Sequence, residues 1–399
     1  MARFEAFAGV RYDTTRVDLG DVTAPPYDVI DADDRARLVA RSPYNAVRID
    51  LPADEEGVDR YEVACRLYND WQAEGVLVTD DVPALYVYAM SFSDEDGRPR
   101  RTLGAIGALE LQPPGAGEIL PHEETTPRAK SDRLAMLRAC GANLSAIWGL
   151  SLTGGLGSLC EPKGPPAAAC IDDLGVHHEL WPVTDPSRIG AIAEAVASSP
   201  VVIADGHHRY ETSLAFRDEQ RAAAGGDPGP ADLFMAYVVE LSDDQLAVGP
   251  IHRLLRGLPA DLDLLAALAH RFDVGPAGDV AGITDRMAAE GSLALVVPGG
   301  RVHLLRPRDG ARPTARGLDS ERLDAARADL PGHEVLYQHG VDNVVKLVDA
   351  GDAQAGVLLR PVPVDTIERV ARGGARMPPK STYFFPKPRT GIVFRSLTS

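Results

Sequence analysis

Residues 201–216 read VVIADGHHRYETSLAF: an apolar run, then Asp205-Gly206-His207-His208, then residues with helical spacing. A short, β-branched apolar run is the pattern of a buried strand, and the spacing predicts a strand over 201–204. DGHH reads as a loop, followed by a helix over 209–222. Gly206 permits a sharp turn with positive φ, so the next backbone N–H groups can face one point at a helix N-terminus. Those groups, the helix dipole, two imidazoles and the Arg209 guanidinium together suit an anion, most naturally a phosphate. Asp205 is the odd member. A carboxylate beside a phosphate cradle is costly unless it holds a metal ion or accepts a substrate proton. The blander reading is that His207 and His208 pack and cap a helix. Joint metal ligation by the two is weak, because adjacent helical residues point about 100° apart.

Working outward, VTAPPYDVI (22–30) and SPYNAVRIDLP (42–52) read as loops feeding short strands. Helical spacing runs from Val58 to Ala73 and ends at Gly75. ALYVYAMSF (84–92) and RRTLGAIGALEL (100–111) flank a DEDGRP turn and predict a β-hairpin. A helix is expected over 127–140, closed by Gly141, and a strand over 145–150. Residues 153–167 are rich in Gly and Pro and read as a surface loop. A helix near 188–197 precedes the apolar run, and 233–241 reads as a buried strand. Hairpins mixed with αβ units predict an α/β, mixed α+β, class.

The chain has 399 residues, with 41 Lys and Arg against 58 Asp and Glu, a formal net charge of −17. That balance disfavours broad nucleic-acid or anionic-membrane binding, which needs a positive surface field, but not a local phosphate pocket. The cysteines Cys65, Cys140, Cys160 and Cys170 form no CxxC pair, and no stretch has the length of a membrane span. With no signal-like apolar core at the start, the expectation is a soluble, cytoplasmic protein.

Two further segments carry chemistry. In ILPHEETTPRAKSDRLAMLRACGANLS (119–145), His122, Glu123 and Glu124 precede a helix whose first turns hold Arg128, Lys130 and Arg133. Cations there are unfavourable unless the Glu residues or a bound phosphate compensate them. Glu123 or Glu124 suits a general base for a hydroxyl, and a solvated charged helix is the plainer alternative. In ARMPPKSTYFFPKPRTGIVFR (375–395), Lys380, Ser381 and Thr382 place a cation and two hydroxyls in one turn, with Lys387 and Arg389 beyond. That mixture suits a nucleotide or phosphorylated group; a C-terminal strand with flanking surface cations is the alternative. The pair His177-His178, with His270, His303, His333 and His339, has no ligand spacing. The chain has no P-loop, no strand-linked GxGxxG, no HRD/DFG pair, no GxSxG and no HExxH.

PPYDVI (25–30), PYNAVRIDLP (43–52), PHEETTPRAKSDR (121–133), ADGHHRYET (204–212) and MPPKSTYFFPK (377–387) together resemble a bacterial and archaeal family catalogued as a domain of unknown function. The DGHHR element also resembles the phosphate-binding box of the ParB/sulfiredoxin-like superfamily, which includes free serine kinases that phosphorylate L-serine with ADP or ATP. The resemblance implies a ParB/sulfiredoxin-like nucleotide-binding core over 101–255, an N-terminal α/β region over 1–100, and a C-terminal α/β region over 256–399 that contributes MPPKSTYFFPK. It makes Glu123 the catalytic base, with Glu124 as neighbour and His122 beside the substrate. Asp205 becomes a carboxylate at the reacting hydroxyl or a metal anchor, and Gly206, His207, His208 and Arg209 the phosphate grip. Arg128, Lys130, Lys380, Ser381 and Thr382 are further phosphate or nucleotide contacts. The implied activity is a small-molecule kinase using ATP or ADP with Mg²⁺ on a hydroxyl such as that of serine, with no nucleic-acid or membrane partner. A homodimer is compatible with it. The rivals are a ParB-like CTP or ATP switch and a metal-dependent phosphohydrolase.

Overall fold

The computed structural model describes residues 2–55, 57–94, 97–113, 115–121, 127–308, 317–378 and 380–398, with the side chains of 127–130 excluded. The fold is mixed α/β. Contacts divide the chain into two compact units: one of 1–247, 371–374 and 386–399, the other of 248–370 and 375–385. Residues 1–100 and 101–247 share a unit, and the C-terminal tail belongs with them.

The first unit is built on a nine-stranded sheet among the described residues. Its order is Ile119–Pro121, Val201–Asp205, Ile147–Ser151, Leu233–Glu240, Pro99–Glu110, Leu85–Ser93, His177–Val183, Ala168–Ile171, with Phe4–Glu5 also on Pro99–Glu110. The expected hairpin forms, Leu85–Ser93 against Pro99–Glu110 antiparallel. Val201–Asp205 lies between Ile119–Pro121, parallel, and Ile147–Ser151, antiparallel. Val201, Val202, Ile203 and Ala204 are all buried, so both faces of the strand are covered, as a continuous apolar run requires. The core beneath joins Val201 and Ile203 to Leu85, Val87, Ile147, Ile192, Tyr210 and Val238. A smaller sheet runs Leu77–Thr79, Gly9–Tyr12, Phe394–Ser396, Ala142–Asn143, and returns the tail to the N-terminal region.

The helices over 58–73, 127–140 and 188–197 are present as Arg60–Ala73, Pro127–Cys140 and Pro186–Ala197. Three expectations change. VRID forms the helix Val47–Asp50 rather than a strand, because buried Asn45 accepts from the Val47 amide (2.9 Å) and donates to the carbonyls of Asp21 (2.7 Å) and Thr23 (3.2 Å). One local and two long-range bonds of the Asn45 side chain outweigh the β-branched pattern. The Gly/Pro-rich loop 153–167 contains a short helix, Leu156–Cys160, whose first amides are capped by Glu240 at 3.0 Å. The helix after DGHH begins at His207, two residues earlier than the spacing suggests.

The second unit carries an antiparallel sheet ordered Phe272–Asp279, Arg301–Pro307, Leu293–Val297, Ala355–Leu358, His252–Arg256, Glu334–Gln338. Alternate residues feed two cores, Leu293 and Leu295 on one face, Ala294 and Val296 on the other. Among the described residues no helix is long and apolar enough to cross a membrane.

Candidate functional site

The Val201–Asp205 strand does not run straight into its helix. Its pairing with Ile147–Ser151 slips between Ile203, opposite Gly149, and Asp205, opposite Trp148. Such a bulge re-aims the next side chain. Gly206 then takes φ 90°, where a Cβ would meet Arg209 Nε at 3.0 Å and Ile147 Cγ2 at 3.1 Å. No L side chain fits that turn without displacing Arg209. The His207–Ala223 helix starts at once, and its N-cap, being glycine, supplies no side-chain acceptor for the first amides.

Asp205 is 13% exposed and its two oxygens face two cations. Oδ2 accepts from Arg209 Nη2 at 2.5 Å, one helical turn on, and Oδ1 accepts from Lys387 Nζ. Burial alone would push the Asp205 carboxyl up, but Lys387 and then Arg209 pull it well below the ordinary carboxylate range. The two cations are held charged by the same carboxylate, with Asp28 adding to both. Arg209 is also tied to the carbonyl of Ala146, and its Nε is buried with no hydrogen-bond acceptor among the described residues. His207 is half-buried beside Asp205, and the His208 carbonyl accepts from Thr212 Oγ1 at 2.6 Å.

Next to this trio lies a second buried pair. Arg133 donates to the Asp50 carbonyl (2.8 Å) and Oδ1 (3.1 Å) and to Asp132 Oδ2 (2.6 Å), with its guanidinium 4.0 Å from the Tyr27 ring centroid. Burial of the ring pushes the Tyr27 phenol up to about 12, against the pull of Arg209. A cavity of about 30 Å³ lies here, lined by Asp50, Arg133, Asn143, Ser145, Arg209 and Thr212. It has room and polar partners for a water or two.

The segment Pro386-Lys387-Pro388-Arg389-Thr390 fastens these parts together. Arg389 donates to Thr23 Oγ1 and O, both at 2.8 Å, and pairs with Asp172 at 3.5 Å. Thr390 Oγ1 donates to Asp50 Oδ2 at 3.0 Å, and its backbone exchanges two bonds with Ala24. Gly391, at φ 99°, lets this segment pass Ala46 and Tyr12, which a Cβ would meet at 3.2 Å. The amide of Arg389 also donates to Tyr88 OH (3.4 Å), which bonds His178 Nδ1 (2.7 Å), whose Nε2 meets Asp172 (3.2 Å). This closes a buried ring of side chains. Burial holds the His178 imidazole below its ordinary value, so it stays neutral near pH 7.

Of the sequence candidates, Asp205, Gly206, His207, His208 and Arg209 meet at one turn. His122, Glu123 and Glu124 lie outside the described residues, and for Arg128 and Lys130 only the helical backbone is described. Lys380, Ser381 and Thr382 belong to the second unit. There Lys380 takes φ 60° and its carbonyl accepts from Arg253 (3.0 Å), while Ser381 Oγ donates to the Pro378 carbonyl (2.7 Å). Arg133 is spent on Asp50 and Asp132 rather than left for a ligand. Sequence reasoning missed Asp50, Tyr27, Asp28 and Thr390 as site neighbours; it grouped Lys387 and Arg389 with Lys380, Ser381 and Thr382 as a phosphate-binding mixture, with flanking surface cations as the alternative. The quoted motifs PPYDVI, RIDLP and FFPKP contained the signal. Among the described residues no three His, Cys, Asp or Glu side chains are grouped to hold a metal ion.

Among curated proteins none matches the chain. Among solved structures, a conserved hypothetical protein from Pyrococcus furiosus aligns at 12% identity, covering 69% of this chain and 90% of its own, with a TM-score of 0.36. A free serine kinase mutant in complex with AMP aligns at 12%, covering 67% and 84%, TM-score 0.37. SbnI with a C-terminal truncation, from Staphylococcus aureus, aligns at 11%, covering 71% and 85%, TM-score 0.37. The family model described as "Protein of unknown function (DUF1015)" matches residues 4–326, and the chain belongs to that family.

Proposed function

We propose that this chain is a small-molecule kinase that moves a phosphoryl group from ATP or ADP to a hydroxyl, that of free L-serine or a related amino acid. The observation that carries the reading is the bulged, glycine-capped turn at 204–209. It sets Asp205 and Arg209 at the start of a 17-residue helix with no side-chain cap, where Lys387 from the C-terminal segment meets the same carboxylate. Phosphoryl transfer asks a protein mainly for positioning and charge neutralisation, and these groups supply both.

In the reaction, the bond between the terminal phosphorus and its bridging oxygen breaks. A new bond forms from that phosphorus to the substrate hydroxyl, and the hydroxyl proton passes to a base. Asp205 is a poor candidate for that base, because its cationic neighbours hold its proton affinity far below neutral. Glu123 takes the role in this proposal, with His122 and Glu124 beside the substrate. Asp205 fixes Arg209 and Lys387, and Gly206, His207, His208 and Arg209 grip phosphate. Arg128 and Lys130 are assigned to the nucleotide by their charge near the helix start, and Lys380, Ser381 and Thr382, in the second unit, are a separate candidate for a phosphorylated group by their cation and hydroxyls.

Mg²⁺ fits as a companion of the nucleotide, since it uses one or two carboxylates plus substrate phosphates rather than an all-protein cage. Asp205 and Asp28 are the carboxylates beside the cations. The ion supplies charge neutralisation on the phosphate oxygens. The proposal extends to a ParB/sulfiredoxin-like core over 101–255 and to a cytoplasmic enzyme.

Purified protein with ATP or ADP, Mg²⁺ and a panel of hydroxylated amino acids, followed by ³¹P NMR, tests the reading. A new phosphomonoester is expected. Nucleotide binding without any phosphomonoester refutes it. Inorganic phosphate released without an acceptor would identify a phosphohydrolase, and nucleotide-dependent dimerisation without turnover a switch.

A further inference from the structure

Lys387 lies 61 residues beyond the end of the family match at residue 326, and the resemblance that includes MPPKSTYFFPK assigns it no individual role. We infer that Lys387 is a movable phosphate-binding cation of this site, exchanging Asp205 Oδ1 for a phosphate oxygen of the nucleotide. The inference rests on the nucleotide-binding part of the proposed function.

Asp205 is one carboxylate set against two cations, and the two differ in freedom. The Arg209 guanidinium is held by both the Ala146 carbonyl and Asp205 Oδ2 and packs under Gly206. It is a fixed wall. Lys387 carries its ammonium on a flexible four-carbon stem, a compact charge with three rotatable donors. Its backbone does not share that freedom. Prolines stand on either side, Arg389 is tied to Thr23 and Asp172, and the Thr390 backbone is paired with Ala24. An anchored backbone with a swinging ammonium lets the cation change partners without moving the strap.

The exchange also frees a carboxylate oxygen. With Lys387 on a phosphate, Asp205 Oδ1 becomes open to a Mg²⁺ carried by the nucleotide, while Oδ2 stays on Arg209. The ammonium remains beside a negative group throughout, so no bare charge is buried at any stage.

The full chain and three variants, Lys387→Met, Asp205→Asn and the double variant, are titrated with ADP by calorimetry, in EDTA and with Mg²⁺. Thermal stability is followed in parallel. Lys387→Met should weaken ADP binding at least about tenfold, the low end for a lost hydrogen bond to a charged group. In EDTA, where no metal needs Asp205, Asp205→Asn should bind ADP more tightly than wild type because Lys387 no longer has to leave the Asp205 carboxylate. The double variant removes one charge of each sign, so it should regain thermal stability relative to Asp205→Asn but not affinity. Unchanged binding by Lys387→Met overturns the inference. So does a double variant that regains wild-type affinity along with stability, because Lys387 would then be only the counter-ion of Asp205. Either result leaves the kinase reading standing. A wild type that binds no nucleotide removes both.

Discussion

Removing Arg133 should damage the first unit far more than neutralising its partner Asp50, although the two form one buried ion pair, their side chains 7% and 4% exposed. The asymmetry follows from who else each one touches. Arg133 keeps Asp132 Oδ2 at 2.6 and 2.9 Å and the Asp50 carbonyl at 2.8 Å when the Asp50 side chain loses its charge. Asp50 without Arg133 keeps the Thr390 hydroxyl at 3.0 Å and little else to balance a buried negative charge. Arg133→Met should therefore cost about 3–5 kcal/mol, the range for stripping one partner from a buried pair. Asp50→Asn should stay within about 1 kcal/mol of wild type, the scale of one ordinary hydrogen bond. The pH dependence sharpens the contrast. Burial already holds the Asp50 carboxyl above its ordinary value, against the pull of Arg133 and Arg209. Without Arg133 it rises further. A carboxyl raised in the folded state costs stability above its folded pKa, and that cost fades as pH falls toward the unfolded value. The Arg133→Met deficit should thus shrink as pH falls toward the ordinary carboxylate range. Urea unfolding followed by tryptophan fluorescence reads this unit selectively, because Trp71, Trp148 and Trp181 all lie in it. Equal costs for the two variants, or a deficit that ignores pH, would refute the assignment of Arg133 as the partner that makes Asp50 tolerable.

Asp205→Asn should abolish phosphoryl transfer and lower stability at neutral pH. The folded-state carboxyl is depressed, so its stabilisation is present above the unfolded value and lost as pH falls through the acid range; urea midpoints of wild type and variant should converge below about pH 4. Gly206→Ala should cost about 1–3 kcal/mol for a left-handed turn and displace Arg209, lowering nucleotide affinity in the same calorimetric titration. Tyr88→Phe should cost about 1–3 kcal/mol in urea unfolding, since it strips a hydroxyl that accepts from the Arg389 amide and bonds buried His178.

The strand, turn and helix at 201–223 were legible because each step has a local cause: a β-branched apolar run, a glycine, then helical spacing. Asp205 and Arg209 stand four residues apart, one helical turn, so even their pairing is implicit in the order of residues. The rest has a different origin. VRID looks like a strand until the side chain of Asn45 is seen to bond carbonyls more than twenty residues away. His178, a histidine without ligand spacing, is a satisfied core residue, but its partners 90 residues and six residues earlier in the chain are not readable from pattern. Lys387 could be read as a phosphate-binding or a surface cation, but its pairing with Asp205 could not be read, because the two lie 182 residues apart and no periodicity reports a contact of that kind. Local pattern finds the turn. Long-range charge pairing finds what the turn faces.

That distinction bears on why the trio exists at all. Burying one carboxylate and two cations is a poor route to stability, since desolvation offsets most of the Coulomb gain and apolar residues of similar size often do as well. The sheet around it shows no shortage of apolar packing: Val201, Val202, Ile203, Ile147 and Val238 are each no more than 1% exposed. A stability argument therefore does not account for Asp205, Arg209 and Lys387. The proposed phosphate-binding role does account for them, because cations already gathered in a water-poor site act strongly on an arriving phosphate. The strap supplies one of those charges from the far end of the chain and ties itself to Thr23, Asp50 and Asp172 on the way. In a protein of net charge −17, a phosphate meets repulsion over most of the surface and attraction where these cations gather. On the proposed reading the acidic balance and the cationic turn act together, the first turning away long polyanions and the second leaving a place for a small one.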